Sequence, residues 1–210
     1  MKRIVVFLSG SGSNFISIYN SIIENKVNAR IELVISNTSK AKGLSFAQNH
    51  GMDIAVIESY KVNYNGKKKI DDEIFSYLNR INPDLIVLAG FLKKIPSNVV
   101  NKFSRKIINI HPSILPSFGG KGFYGMKVHN AVIDSKAKIT GATVHFVDSD
   151  YDTGPIVAQE CIMVEKNDDA ESIAQKVLKV EHRIFPFVVN AICNDLLKWD
   201  KDRPIILGDK

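Results

Sequence analysis

Residues 4–14 read IVVFLSGSGSN, an apolar run followed directly by a turn made of glycine and serine. A short apolar run of this kind is typical of a strand that is buried on both faces of a parallel sheet. Phe15, Ile18 and Ile22 then recur at spacings of three and four residues, which predicts an amphipathic helix. This order of strand, turn and helix is the first half of a βαβ unit.

The same alternation continues through the first half of the chain. Further short apolar runs predict strands at 31–35, 54–57, 85–88 and 107–110, with helical patterns between them. We therefore predict an α/β fold with a doubly wound, mostly parallel, Rossmann-like sheet. Ligands of such sheets bind beyond the carboxyl ends of the strands, so the loops at those ends are the candidates for function.

After Pro112 the pattern changes. A helix is predicted over 126–133, two longer strands over 139–147 and 156–164, and a long amphipathic helix from about Asp169 to Leu197. An aspartate-rich turn joins the two strands, so we predict an antiparallel hairpin. A C-terminal antiparallel hairpin and a long helix are thus expected to complete the sheet.

Composition narrows the class of protein. The 210 residues suit one domain, the formal charge is +6, and 45% hydrophobic residues with 24% charged residues are ordinary for a globular chain. The apolar runs are too short for a membrane-spanning helix, and two cysteines form no disulfide framework, so a cytoplasmic protein is expected. The positive charge favours anionic partners, but the lysines are scattered, which argues against nucleic acid and membranes as partners.

The turn after the first predicted strand is a candidate anion site. Gly12, Ser13 and Asn14 begin the predicted helix, where exposed N–H groups attract a phosphate. Phe15 stands where the third glycine of a dinucleotide fingerprint would be, and no Walker A lysine follows, so a single phosphate fits better. The alternative is a plain strand-to-helix turn that Ser13 or Asn14 caps.

A second candidate site follows the fifth predicted strand. Asn109 and His111 are two residues apart, so in an extended backbone their side chains project to the same side and can converge on one reacting oxygen. His111 is also followed by a proline; the alternative is a histidine in a surface loop. His50, His129 and His145 are interpreted as structural.

The turn at residues 148–155, DSDYDTGP, is the third candidate. Thr153 and Gln159 replace the glycine and glutamate of a calcium loop, so we predict no metal. Two interpretations stay open: a solvated acidic turn, or a carboxylate directed at His111. A carboxylate beside that imidazole is expected to raise its pKa.

Together these segments resemble the glycinamide ribonucleotide transformylase family, the phosphoribosylglycinamide formyltransferases. The resemblance covers almost the whole chain and includes the glycine-serine turn and the segments at 87–92, 109–116, 140–147, 152–155 and 181–186, in order and at similar spacing.

The resemblance implies specific residue roles. Asn109, His111 and Asp152 match the catalytic residues of that family, and Gly12, Ser13 and Asn14 match its phosphate site. Glu181 is implied to hold the ribonucleotide, although by itself it reads as an exposed charge on a helix. The implied folate-binding residues are Leu92, Lys93, Lys94, Ile95, Asn109, Asp148 and Asp152, and also Lys67, which falls where relatives often carry an arginine.

The implied activity is transfer of a formyl group from 10-formyltetrahydrofolate to the amine of 5'-phosphoribosylglycinamide, in de novo purine biosynthesis. The amine attacks directly, and Asn109 and protonated His111 donate hydrogen bonds to a tetrahedral oxyanion. Residues 1–210 are expected to form a single formyltransferase domain. Within it, residues 1–111 form a nucleotide-binding half, and residues 112–210 complete the folate site and contain the C-terminal helix. Small-molecule substrates are the expected partners of a monomer or homodimer.

Three alternatives are weighed against this interpretation. A 10-formyltetrahydrofolate deformylase is expected to carry an additional N-terminal regulatory domain and commonly a second histidine where Pro112 stands. A methionyl-tRNA formyltransferase is expected to carry a C-terminal RNA-binding domain. A non-catalytic folate or nucleotide sensor would not need Asn109, His111 and Asp152. The loop at 119–125 departs from the pattern of the family, so its contacts are not predicted.

Overall fold

The computed structural model describes residues 1–58 and 64–208, and for residues 64–69 it describes the backbone alone. The chain forms two compact units, Met1–Ile108 and Asn109–Lys210. Among the described residues, seven strands belong to one sheet in the order β3-β2-β1-β4-β5-β6-β7, and β8 and β9 form a separate pair.

The first unit alternates strands with helices. Its elements are β1 (Lys2–Leu8), α1 (Ser13–Ile23), β2 (Ala29–Ser36), α2 (Lys42–Asn49), β3 (Ile54–Val56), α3 (Tyr64–Ile81), β4 (Leu85–Leu88) and α4 (Ser97–Lys102), and β5 (Ile107–His111) begins in it. β1 pairs in parallel with β2 and with β4, and β2 pairs in parallel with β3. Ile4 to Leu8 are completely buried, which explains why β1 is a continuous apolar run.

The second unit contains the rest of β5 and the remaining elements of the described chain. These are α5 (Met126–Asp134), β6 (Ile139–Phe146), β7 (Ile156–Met163), α6 (Ala170–Cys193), β8 (Leu197–Asp200) and β9 (Arg203–Ile206). β6 and β7 form an antiparallel hairpin, as predicted. The turn between them approaches β6 closely, because a Cβ atom on Gly154 would lie 1.9 Å from the carbonyl oxygen of Phe146.

The long helix α6 begins with a capping box. The Asp169 side chain accepts a hydrogen bond from the Ser172 N–H at 2.8 Å, and the Ser172 hydroxyl accepts one from the Asp169 N–H at 3.0 Å. The helix runs through Pro186 and ends at Cys193, four residues before the predicted end at Leu197.

The predicted α/β class, the mostly parallel sheet and the long helix are confirmed. The hairpin of β8 and β9 was not among the strands predicted from apolar runs. It packs through Trp199, whose ring centroid lies 4.9 Å from that of Phe146. None of the helices in the described part of the chain is long and apolar enough to cross a membrane.

Candidate active site

The second unit places the three implied catalytic residues around a buried histidine, with Asn109 and Asp152 half-buried. Asn109 and His111 lie on β5, and Asp152 lies in the turn between β6 and β7. The Nδ1 atom of His111 is 3.5 Å from Asp152 Oδ2, and the two side chains are only 5% and 11% exposed. An imidazole and a carboxylate that are 41 positions apart in sequence thus face each other at ion-pair distance.

Both ring nitrogens of His111 face oxygen acceptors. Nε2 lies 2.8 Å from the carbonyl oxygen of Phe118, to which it donates a hydrogen bond, and Nδ1 faces Asp152. Burial nevertheless lowers the pKa of His111, and this effect outweighs the opposing influence of Asp152 and of the Phe118 carbonyl. The expectation of a raised pKa is therefore wrong for the net shift, because the loss of hydration exceeds the attraction of one carboxylate.

Asp152 is held by three groups. Its Oδ2 accepts a hydrogen bond from the Gly120 N–H at 2.8 Å, and its Oδ1 lies 3.6 Å from Nε2 of His145. Burial by itself raises the pKa of Asp152, but His145, His111 and the Gly120 N–H together lower it below its ordinary value. The residue has φ of 58°, a left-handed conformation that aspartate tolerates better than most residues. The carboxylate is thus kept ionised beside the imidazole.

His145 is a member of the cluster that the sequence analysis assigned to a structural role. Its Nδ1 lies 2.8 Å from the Phe146 carbonyl oxygen, and its Nε2 faces both Asn109 and Asp152. The Asn109 Nδ2 atom lies within hydrogen-bond distance of that Nε2, at 3.2 Å. His145 therefore orients the amide of Asn109. The sequence signal that could have identified His145 is its position on β6, two residues after Thr143 and on the same face of the strand.

The loop after His111 is braced by a network of polar side chains. Thr143 Oγ1 donates to the Ser113 carbonyl at 2.7 Å and accepts from the Leu115 N–H at 3.1 Å. The Gln159 amide donates to the Leu115 carbonyl at 2.9 Å and to Thr143 Oγ1 at 3.0 Å. These bonds fix the backbone that leaves β5, and so they help to hold the His111 ring in place.

The other implied residues of the second unit occupy different settings. Asp148 Oδ1 accepts from the Asp150 N–H at 3.1 Å and from the Thr153 hydroxyl at 2.7 Å, so this carboxylate braces the turn that carries Asp152. Glu181 lies on α6 and is only 8% exposed, so it is not the exposed helix charge of the alternative interpretation.

The candidate phosphate-binding turn, which contains Gly12, Ser13 and Asn14, lies in the first unit. Gly12 has φ of 76°, and a Cβ atom there would lie 2.8 Å from Gly43 Cα, so glycine is required on both counts. The N-cap of α1 is Gly12, which has no side chain, so neither Ser13 nor Asn14 holds the capping position of the alternative interpretation. Ser13 is half-buried and Asn14 is buried at the first turn of the helix.

The implied folate segment also lies in the first unit, after β4. Leu92 is 55% exposed and Lys94 is exposed, whereas Ile95 is buried at 4%. Lys93 is half-buried. The side chain of Lys67 lies outside the described residues, although its backbone belongs to α3.

The described residues contain no group of three or more histidine, cysteine, aspartate or glutamate side chains that could hold a metal ion. The cluster around His111 instead combines an amide donor, two imidazoles and a carboxylate. Such a set can stabilise a developing negative charge on oxygen and transfer a proton.

Comparison with known proteins supplies an independent line of argument. Residues 2–189 match the family model described as formyl transferase. The chain is 42% identical over 201 residues to the chloroplastic phosphoribosylglycinamide formyltransferase of Vigna unguiculata, covering 96% of this chain and 64% of that relative. The chain thus spans somewhat less than two thirds of the length of this relative.

Solved structures agree with the family model. The crystal structure of glycinamide ribonucleotide transformylase 1 from Symbiobacterium toebii superposes with a TM-score of 0.89 at 31% identity, covering 99% of this chain and 95% of that one. A formyltetrahydrofolate deformylase from Pseudomonas syringae pv. tomato superposes with a TM-score of 0.87, but at 23% identity and over 66% of its own chain. That second likeness concerns the fold alone.

Proposed function

The chain belongs to the formyl transferase family, and from that premise we propose that it transfers a formyl group from 10-formyltetrahydrofolate to the amine of 5'-phosphoribosylglycinamide. The observation that carries the proposal is the cluster of Asn109, His111 and Asp152, which joins an amide donor, a buried imidazole and an ionised carboxylate. Full-length likeness to a glycinamide ribonucleotide transformylase supports the choice of acceptor.

In the proposed reaction the neutral amine attacks the formyl carbon, a C–N bond forms, and the carbonyl oxygen becomes an oxyanion. The Asn109 amide has one N–H directed at His145 and a second that can donate to this oxygen. The Nε2–H of His111 donates to the Phe118 carbonyl in this structure. In the proposed complex the formyl oxygen replaces that carbonyl as the acceptor. Two positioned donors then stabilise the charge.

Proton movements complete the reaction. The attacking nitrogen loses a proton, and N10 of the folate gains one as its bond to the formyl carbon breaks. Asp152 is the proposed relay for the first of these protons. The growing negative charge on oxygen also favours the imidazolium form of His111, against the effect of burial. The formyl-folate serves as a co-substrate, and no step requires a metal.

The proposed ligand-binding residues are those that the resemblance implies. We propose that Gly12, Ser13 and Asn14 bind the phosphate, since they form the N-terminus of α1, where backbone N–H groups attract an anion. Glu181 is proposed to bind the rest of the ribonucleotide. Folate binding is proposed for the segment from Leu92 to Ile95 and for Asp148, together with Asn109 and Asp152, and Lys67 is retained as a further folate residue on the resemblance alone.

The assay that tests the function measures loss of the formyl group from 10-formyltetrahydrofolate with and without 5'-phosphoribosylglycinamide. We expect loss that depends on the acceptor, with formyl transfer to its amine. Loss at the same rate without acceptor would mean a deformylase, and binding without turnover would mean a sensor; either result would overturn the proposal.

The cellular setting is part of the same proposal. We propose a cytoplasmic enzyme of purine biosynthesis that acts on small molecules as a monomer or homodimer, although the Vigna relative is named as chloroplastic. Fractionation of the source cell and sedimentation of the purified chain test these two points.

A further inference from the structure

Ser9 lies directly after β1 and makes three hydrogen bonds to neighbouring loops. Its hydroxyl donates to Asn37 Oδ1 at 2.5 Å and accepts from the Leu92 N–H at 2.9 Å. Its backbone N–H donates to the Gly90 carbonyl at 3.1 Å. The side chain thus joins the loop after β1 to the loops after β2 and β4.

Ser9 follows the carboxyl end of β1, which is a central strand of the sheet. β1 has β2 on one side and β4 on the other, while the chain proceeds from β1 to β2 and β3 before it returns to β4. The order of strands therefore reverses between β1 and β4. In open α/β sheets this switch point, at the carboxyl ends of the strands, is where ligands bind.

The turn that follows Ser9 is joined to α2 by its backbone. The Gly43 N–H donates to the Gly10 carbonyl at 3.2 Å, and the close approach of Gly12 to Gly43 leaves no space for a side chain. These contacts hold the turn from Ser9 to Gly12 against α2, the helix that follows β2. The Ser9 hydroxyl also contacts the loop after β4, in which the Leu92 side chain is exposed.

We propose that Ser9 is a positioning residue that holds the loop after β4 in the conformation that binds the folate. The inference rests on the proposed function for the identity of this ligand. The single hydroxyl hydrogen is already donated to Asn37 and one lone pair is taken by the Leu92 N–H. Ser9 therefore acts through the loops and not on the reacting atoms.

The test compares Ser9→Ala with wild type and with two further variants. Loss of the hydroxyl is expected to raise the Kd for 10-formyltetrahydrofolate, measured without acceptor, and its KM by about three- to tenfold, with kcat changed less than about twofold. Ser9→Thr, which keeps the hydroxyl, is expected to restore binding at least in part. Ser39→Ala is the matched control, because the Ser39 hydroxyl donates to Glu58, which follows β3, and not to the loop after β4.

Amide hydrogen exchange supplies a readout that needs no activity. The Leu92 N–H loses its acceptor in Ser9→Ala, so its exchange is expected to become faster, while Ser39→Ala leaves it as in wild type. Unchanged exchange in Ser9→Ala, or faster exchange with an unaltered Kd for the folate, would overturn the inference. A loss confined to kcat would overturn it as well.

The two proposals fail in different ways. The formyl-transfer assay of the wild-type protein judges the proposed function alone. If the wild type binds the folate but transfers nothing, the proposed function fails, and the Kd and exchange measurements still decide the role of Ser9. If the wild type binds no folate, both proposals are overturned.

Discussion

At the scale of single residues, Asp152 is the point where the interactions of the cluster meet. One carboxylate oxygen faces His111 and the Gly120 N–H, and the other faces His145. An asparagine at this position keeps the size of the side chain but cannot carry the charge. It also presents N–H hydrogens to one of the donors that the carboxylate now accepts from.

We therefore predict that Asp152→Asn lowers kcat for formyl transfer by at least on the order of 10², with a smaller change in the KM for the ribonucleotide. Asp150→Asn, an exposed substitution of the same kind in the same turn, is the matched control and should keep turnover near wild type. Steady-state kinetics with both substrates measure the effect. Turnover of Asp152→Asn close to that of Asp150→Asn would remove Asp152 from the proposed catalytic role.

A second prediction concerns His145. Its replacement by alanine removes the side chain that contacts the Asn109 amide and a group that lowers the pKa of Asp152. We expect kcat to fall by about ten- to a hundredfold, as for hydrogen bonds that involve charged groups. The acidic limb of the pH–activity profile should also move to higher pH, because the pKa of Asp152 rises.

His50→Ala is the control for this change, since His50 is an exposed histidine of the first unit that binds the Phe46 carbonyl. An acidic limb that stays in place in His145→Ala would contradict the proposed influence on Asp152. Periodicity alone could place His145 on a strand and on one of its faces. It could not show that this face meets Asn109 and Asp152, because that depends on the pairing of strands and on the path of a turn.

At the scale of elements, local patterns predicted most of the fold. The apolar runs located β1, β2, β4 and β5 to within a few residues, because strands buried on both faces consist almost entirely of such residues. The short strands β8 and β9 alternate exposed and half-buried positions and contain charged residues. Their stability comes from pairing with each other and from packing, such as that of Trp199, which a local pattern does not contain.

The capping box of α6 leads to a prediction at this scale. Asp169→Ala leaves the Ser172 N–H without its side-chain acceptor, so we expect a loss of about 0.5–2 kcal/mol in the free energy of unfolding. Asp169→Asn keeps an oxygen that can accept this bond and should lose less. Urea titrations of both variants beside wild type measure the difference, and equal stability of Asp169→Ala and wild type would show that the cap contributes nothing.

At the scale of the whole molecule, two buried histidines and one half-buried histidine act in the same direction. Burial is the largest cause that lowers the pKa of His111, His129 and His182. Each therefore binds protons less readily in the folded chain than in the unfolded chain. Their contribution to stability is fully present above an unfolded pKa of about 6.5 and is lost as the pH falls through that value toward the folded pKa.

We predict that the free energy of unfolding falls as the pH is lowered from about 7 to 5, by up to about 1.4 kcal/mol per pH unit for each histidine that stays neutral when folded. Urea titrations across this range measure the slope, and His111→Gln should reduce it. The pKa of Asp152 is lowered, and that of Asp168 is lowered to about 2, so the stability that these two carboxyl groups contribute is lost only below about pH 5. A stability that is flat or rises toward pH 5 would contradict the assignment.

Trp199 is the one tryptophan of the sequence, and its ring packs on Phe146, whose carbonyl holds the His145 ring. Selective excitation of a single indole gives an emission signal that originates from one known point in the second unit. Fluorescence can therefore follow the unfolding of this unit, and events at the end of β6, without any attached dye.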